Sequence, residues 1–560
     1  MKRLSKYHIL PAVLLIAFGA VLGVNLDAYL SEDDLGKQFN KMKRALIVID
    51  KKYVDPLKAA KVVEAGVKGM VKNLDPHSTY IPADQAEDVK DQYQGSFGGV
   101  GIVFEVPGDT ARVISPVAGG PSEKAGIMAG DRIVGIKDSS AIGLSSNEIQ
   151  NELKGKVGTT VQMTIYRPTI GERRTFTITR EKIETQSVYS PYMVDDKTGY
   201  VDITRFTMKT HEEFRKAVKG LLDKGMKRLI LDLRGNPGGV MRSSWQIANE
   251  MLGEGMTIVK TKGRSARMDR TISAKPGGLL REKPVIVLVN RGTASASEIL
   301  TGALQDHDRA FIVGRRTFGK GLIQKQFDLG DGSVLQMTVG RYYTPVGRLI
   351  QSPYKRGNRK DYYQEKFSTI SQATYHLKEY RQSIPDSLAY KTDHGRTVFG
   401  GGGILPDYVV QPDTTALTYF IRSGLDYAFA RKWFSTHEMN LRSSWQKRPE
   451  EFKASFEVSD EMLSSFWTFA EKKGVTITED PDSVNTAERV YARSTAQANE
   501  DFVATRVKGY LARLLYGRGV ARPILNQTDP IFQEAMTLWP SSRKLAAYHT
   551  TTPSSTVKQE

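Results

Sequence analysis

The chain has 560 residues, with 80 Lys and Arg against 62 Asp and Glu, a formal net charge of +18. At roughly 100–200 residues per domain, that length makes about three to five folding units. A composition of 40% hydrophobic and 25% charged residues excludes wholesale disorder. Cysteine is absent, which excludes disulfides, thiolate nucleophiles, Cys-ligated zinc and iron–sulfur clusters. The positive balance favours acidic partners, yet no nucleic-acid-binding motif accompanies it. No nucleic-acid partner is expected, and a solvated basic surface is the simpler reading.

Lys2, Arg3 and Lys6 precede an apolar run from Ile9 to Val24, and Asp27, Glu32, Asp33 and Asp34 follow it. A basic flank, a short apolar stretch and an acidic far side describe an export signal that leaves the basic end in the cytoplasm. Residues 1–35 are therefore expected to be a signal peptide or an N-terminal membrane anchor. The body would work outside the cytoplasmic membrane, on the periplasmic side, either anchored or released by cleavage.

Residues 36–92 form a helical region by their spacing, with Leu46, Ile47, Ile49, Val62, Val63, Val67 and Met70 at helical intervals and a break at Asp75-Pro76. Residues 93–185 change to short β runs punctuated by glycine, such as Val100–Val106, Arg132–Ile136 and Val161–Tyr166. In 186–412, buried-type strands Arg228–Leu233 and Val285–Val289 alternate with helical segments, as in an α/β core. Residues 413–560 read as helical, with Asp529-Pro530 capping a helix over Ile531–Leu538. The polar tail from Ser541 is expected to fray.

Three segments of the α/β region stand out. Leu231-Asp232-Leu233-Arg234-Gly235-Asn236-Pro237-Gly238-Gly239 runs from a strand into a glycine turn, which points backbone N–H groups at an anion or oxyanion. Asn290-Arg291-Gly292-Thr293-Ala294-Ser295-Ala296-Ser297-Glu298 follows a strand and puts Ser295 at a helix start. Taken alone, Ser295-x-x-Glu298 is more simply a capping box. In Thr317-Phe318-Gly319-Lys320-Gly321-Leu322-Ile323-Gln324, Lys320 and Gln324 would lie about 13 Å apart on a straight strand. Contact between them needs a bent backbone, which Gly319 and Gly321 permit.

Together these segments resemble the carboxyl-terminal processing peptidases, or tail-specific proteases, of the S41 family, which use a Ser–Lys dyad. The lysine of that family, 25 residues after the nucleophile, falls on Lys320; this spacing selects Ser295 over Ser297. Further matches are Leu74-Asp75-Pro76-His77-Ser78, Gly98-Gly99-Val100-Gly101-Ile102, Arg341-Tyr342-Tyr343-Thr344-Pro345 and Gly401-Gly402-Gly403-Ile404-Leu405-Pro406-Asp407. Thr293 stands where the family usually has serine, and Lys154 where arginine is expected.

The resemblance implies an α+β multidomain protein: a crotonase/ClpP-like α/β protease core with an inserted PDZ domain and helical N- and C-terminal regions. It implies catalytic Ser295, Lys320 and Gln324, with the N–H groups of Ala296 and of Gly238 or Gly239 as the oxyanion hole. Gly99, Val100, Gly101 and Ile102 would form the PDZ carboxylate loop, which captures the free C-terminus of a protein or peptide substrate while the tail adds as an edge strand. No metal and no cofactor is expected, and homo-oligomerisation stays open. The chemistry has its own logic: serine is a weak nucleophile until a base takes its proton, and lysine serves once burial disfavours its ammonium form.

Competing readings fare less well. His211-Glu212 and His437-Glu438 lack the second histidine of a zinc peptidase. His77 and His307 read as structural. A non-hydrolytic crotonase-like enzyme would not need Ser295, Lys320 and Gln324 together, and a PDZ scaffold or adaptor with an inactive protease core would not keep all three.

Overall fold

A computed structural model describes residues 35–412, 423–480, 483–485 and 489–551. The apolar segment Ile9–Val24 lies outside these residues. Among the described residues no helix is long and apolar enough to cross a membrane.

The centre is a six-stranded sheet in the order Val188–Met193, Thr198–Ile203, Arg228–Asp232, Val285–Val289, Phe311–Gly314, Tyr408–Val409. The first pair is antiparallel and the other four are parallel. Parallel strands buried on both faces read as continuous apolar runs, which is why Val285–Val289 is β-branched and Leu throughout. Alternate residues serve opposite faces. Leu229, Leu231, Val285, Val287 and Val289 pack against helices Thr210–Asp223, Met241–Asn249 and Ala296–Asp306 through Phe214, Val218, Ile247, Ile299 and Leu300. Ile230, Ile286 and Leu288 face the other way, onto Ile531, Phe532, Ala535 and Trp539.

The second face of the core sheet is thus closed by the end of the chain, helices Pro530–Thr537 and Trp539–Thr551. Over the first part of the stretch from Ser541 this corrects the expected frayed tail; residues 552–560 lie outside the described residues. Ser542 is buried and donates to the Val285 carbonyl at 3.0 Å, and Leu545 and Ala546 are buried. The polar letters of this stretch conceal one apolar face that the sheet requires.

Thr79–Ile81, Val334–Tyr343, Thr257–Gly263 and Arg270–Ser273 form an antiparallel sheet, with Leu322–Asp328 also paired to Val334–Tyr343. The β-rich module has its own core around Val113, Ile133, Ile149, Met163 and Ile165. Its strand Ile102–Glu105 pairs on one side with Ala111–Pro116 and ends that sheet. Arg132 is exposed, as expected of a surface charge. Lys154 pairs with Asp88 at 2.8 Å, tying the module to helix Ala83–Gln94. Helices Leu425–Trp445, Asp460–Lys472, Glu500–Tyr516 and Arg518–Asn526 enclose a third core containing Phe429, Phe434, Phe466, Val507 and Leu511. Glu438 of this unit bonds Arg112 of the β module at 2.6 Å.

Candidate active site

The strands Arg228–Asp232, Val285–Val289 and Phe311–Gly314 are parallel neighbours, so the loops after them emerge at one edge, where open α/β sheets place their sites. Those loops are the three segments singled out by sequence. Ala294 N–H donates to the Asn236 carbonyl at 2.9 Å, and Phe318 N–H to the Thr293 carbonyl at 2.9 Å. The Thr293 hydroxyl donates to the Leu233 carbonyl at 2.8 Å, so threonine does a structural task here that serine could also do.

Ser295 caps helix Ala296–Asp306 with φ 55° and ψ −114°. A non-glycine residue held there costs roughly 1–3 kcal/mol, and the surroundings must enforce it. Two groups do so. The Glu298 carboxylate accepts the Ser295 N–H at 2.8 Å and, on the same oxygen, the Lys320 N–H at 2.8 Å. Its other oxygen accepts the Gly319 N–H and the Thr317 hydroxyl, each at 2.6 Å. The Tyr342 hydroxyl lies 3.0 Å from the Ser295 carbonyl oxygen and also bonds that of Lys320. Ser295 and Lys320 are therefore stapled together through their N–H groups by one buried carboxylate and through their carbonyls by one buried phenol. Of the capping box read from the sequence, the half made by the Glu298 side chain forms, while the Glu298 N–H donates to the Ser295 carbonyl at 2.8 Å. What the sequence did not reveal is that Glu298 also reaches the lysine loop.

Lys320 Nζ donates to Gln324 Oε1 at 2.7 Å. The required bend is present: Gly319 has φ +83°, and the strand pairing slips at Ile323/Gln324. Gln324 Nε2 donates to the His77 carbonyl at 2.6 Å, which turns its amide oxygen towards the lysine. Burial pushes the Lys320 amine below the usual lysine range, against the opposing pull of Asp75 and Glu298. Ser297 is fully buried, its hydroxyl 3.1 Å from the Asn236 carbonyl, whereas Ser295 is partly exposed.

The glycine turn lies directly against the serine. A Cβ on Gly238, φ +97°, would stand 2.8 Å from Ser295 Cβ and 2.9 Å from Ala296 N, and one on Gly239, φ +137°, 2.0 Å from the Phe206 carbonyl oxygen. Only glycine fits either position. Gly238 N–H donates to Asn236 Oδ1 at 2.9 Å, so of the two it is engaged within the turn. A cleft of about 700 Å³ lies beside this turn, walled by His77, Gly235, Pro237, Arg291, Ala294, Phe318, Lys320 and Phe367.

His77 Nε2 sits 3.1 Å from the Tyr362 hydroxyl, and burial with the nearby Lys320 and Lys366 charges pushes the ring down to about 3. His307 is held between Asp393 and the Thr257 carbonyl, 2.6 Å from each. Sequence reading missed Lys366, on helix Arg359–Tyr375, which is 3% exposed. Its Nζ lies 3.5 Å from the Phe318 ring centroid and 3.3 Å from the Gly319 carbonyl, and burial pushes it down to about 7. No motif flags that stretch, so nothing in the sequence could have found it. Among the described residues no group of His, Asp or Glu is arranged to hold a metal ion.

Comparison with known proteins follows the same division. Residues 197–362 match peptidase family S41 and residues 98–179 a PDZ domain. Residues 24–85 match the N-terminal domain of the activating protease CtpB, and 416–517 a family of unknown function. The carboxy-terminal-processing protease of Bartonella bacilliformis is 37% identical over 325 residues, 57% of this chain and 74% of that protein. The chain belongs to the carboxy-terminal processing proteases of family S41. The protease CtpA of Bacillus subtilis is 35% identical over 321 residues, 57% of this chain and 67% of that one. Among solved structures, the photosystem II D1 C-terminal processing protease is 31% identical with a TM-score of 0.32, covering 55% of this chain and 89% of that one. The protease is accordingly a serine-type peptidase with an S41 core and a PDZ domain.

Proposed function

We propose that this protease cleaves envelope or secreted proteins near their C-termini through a Ser295–Lys320 dyad. The observation that carries the dyad is the Glu298 staple, whose Oε2 accepts both residues' N–H groups, beside a buried amine held by Gln324. Neutral Lys320 takes the proton from Ser295 Oγ as Oγ bonds the peptide carbonyl carbon. The oxyanion forms beside the N–H groups of Ala296 and of the Gly238–Gly239 turn, at the positive end of helix Ala296–Asp306. Lys320 then gives its proton to the leaving amine as the C–N bond breaks. Water, losing a proton to Lys320, attacks the acyl ester, and the proton returns to Ser295 as it leaves.

Tail selection rests on the loop Gly99, Val100, Gly101, Ile102. Gly101 is in the left-handed region, φ +71°, and among the described residues strand Ile102–Glu105 has an unpaired edge within its sheet to which a tail can add. The sequence of the N-terminal segment supports work outside the cytoplasmic membrane, anchored or released after cleavage. The +18 charge suits an anionic envelope surface. A disordered peptide with a free C-terminus should be cleaved with kcat/KM at least tenfold above the same peptide amidated. Equal rates would remove the PDZ carboxylate loop from the reading.

A further inference from the structure

Asp232 closes its strand with a fully buried carboxylate, and Arg234 opens the glycine turn with its side chain 9% exposed. Arg234 grips Asp232 through Nη2 at 2.7 Å and Nε at 2.9 Å, and its N–H also reaches Asp232 Oδ1 at 3.0 Å. The remaining guanidinium nitrogen, Nη1, bonds Asp529 at 2.7 Å. Asp232 in turn receives Tyr200 at 2.6 Å and Arg522, whose Nε donates to the Tyr200 hydroxyl at 2.7 Å. Asp202 and Arg518 flank the group, 3.6 Å apart. Two of the four central charges come from the protease core and two from helices at the end of the chain, beyond the segment matched by family S41.

We propose that the C-terminal helices are part of the catalytic apparatus, with two positioning residues, Asp529 holding the oxyanion turn directly through Arg234 and Arg522 holding the Asp232 carboxylate that Arg234 grips. This rests on the reading of that turn as the oxyanion site. Arg234 is four residues from Gly238, and the turn between them has no slack. Gly235 N–H is tied to Asn290 Oδ1 at 2.9 Å, and Gly238 is packed against Ser295 with no room for a methyl group. Without Asp529, a buried guanidinium keeps partners on one side only, and such a half-paired charge reorients to find water. The tilt passes along the turn to Gly238 and Gly239, which pack beside the nucleophile. A misplacement of about 1 Å costs on the order of a hundredfold in rate.

Asp529 has a second task, which the test must separate. Its carboxylate caps helix Pro530–Thr537, accepting the Ile531 and Phe532 N–H groups at 3.1 and 3.2 Å. Serine caps a helix about as well as aspartate but has neither the charge nor the reach for Arg234. In the full-length protease, Asp529→Ser should lower kcat roughly tenfold to a hundredfold with KM within about twofold. The affinity for a peptide boronate, which places an anionic oxygen in the oxyanion site, should weaken in step. Arg522→Lys keeps the charge and loses the fork; it should change kcat and boronate affinity in the same direction, and it decides the matter if Asp529→Ser folds poorly. Glu534→Gln, on the same helix but bonded to Tyr408, should match wild type. Wild-type kcat and boronate affinity in both Asp529→Ser and Arg522→Lys overturn the inference. So does a change in KM alone. Ser295→Ala is run beside them. Its inactivity together with wild-type behaviour of the two variants removes this inference alone, whereas activity surviving in Ser295→Ala removes the dyad and the inference with it.

Discussion

Ser295→Ala is expected to lower kcat by at least about 10⁴-fold while the unfolding midpoint stays close to wild type, and Ser297→Ala to keep activity within severalfold. Loss of the nucleophile from a working set removes nearly all of the set's acceleration. Ser295 is partly exposed, and its unusual backbone is enforced by Glu298 and Tyr342 through N–H and carbonyl, neither of which the substitution touches. Ser297 lies in the interior on a backbone carbonyl. Its loss removes one hydrogen bond, worth about 0.5–1.5 kcal/mol, and no chemistry. Peptide cleavage assays with thermal melts on the two variants measure both effects. The reverse pattern, with Ser297 essential and Ser295 dispensable, would exchange their assignments.

Glu298→Gln should produce the second large effect, a loss of both stability and rate from a change of one atom. All four partners of this carboxylate are donors: the N–H groups of Ser295, Gly319 and Lys320 and the hydroxyl of Thr317. Burial pushes the carboxyl up, and those donors pull it back only in part. A glutamine can lie either way round, and in each case its NH₂ meets two donors. The Thr317 hydroxyl already accepts the Ile404 N–H at 2.6 Å, so it has little freedom to turn. One or two buried N–H groups are left unpaired at about 1–3 kcal/mol each. Turned one way the amide releases the Ser295 and Lys320 N–H groups, and turned the other it releases the Gly319 N–H beside Lys320, so kcat should fall about a hundredfold. Urea unfolding reads the stability and steady-state assays the rate; a variant wild type in both would refute the shared-carboxylate staple.

How far the sequence led can be judged from particular residues. The three loops could be read because each follows a strand of one parallel sheet, and such strands deliver their motifs to one edge. The Lys320–Gln324 contact demanded a bend, and glycine at 319 was a sufficient physical signal for one. Glu298 was legible only as a cap, because a capping box is written in four consecutive residues while its bonds to Gly319 and Lys320 cross more than twenty. Asp529 was legible for the same local reason, as an N-cap, and its grip on Arg234 spans 295 residues. Lys366 left no trace, since a buried lysine looks like a surface one until its neighbours are known. The start of the tail was misread because its polar residues hid the few that are buried, Ser542 on the Val285 carbonyl with Leu545 and Ala546 after it.

The central claim is that Lys320, neutral at working pH, is the base for Ser295. The pH dependence of kcat/KM tests it most directly, because that profile reports ionisations of the free enzyme. Activity requires the unprotonated amine, and burial lowers the Lys320 pKa below the ordinary 10.5. The rate should therefore be low in acid, rise with a single ionisation below 10.5, and reach a plateau above it. In Lys320→Met the rising limb should disappear along with the activity. A profile governed by an ionisation in the carboxylate range, or a rising limb that survives in Lys320→Met, would contradict the account.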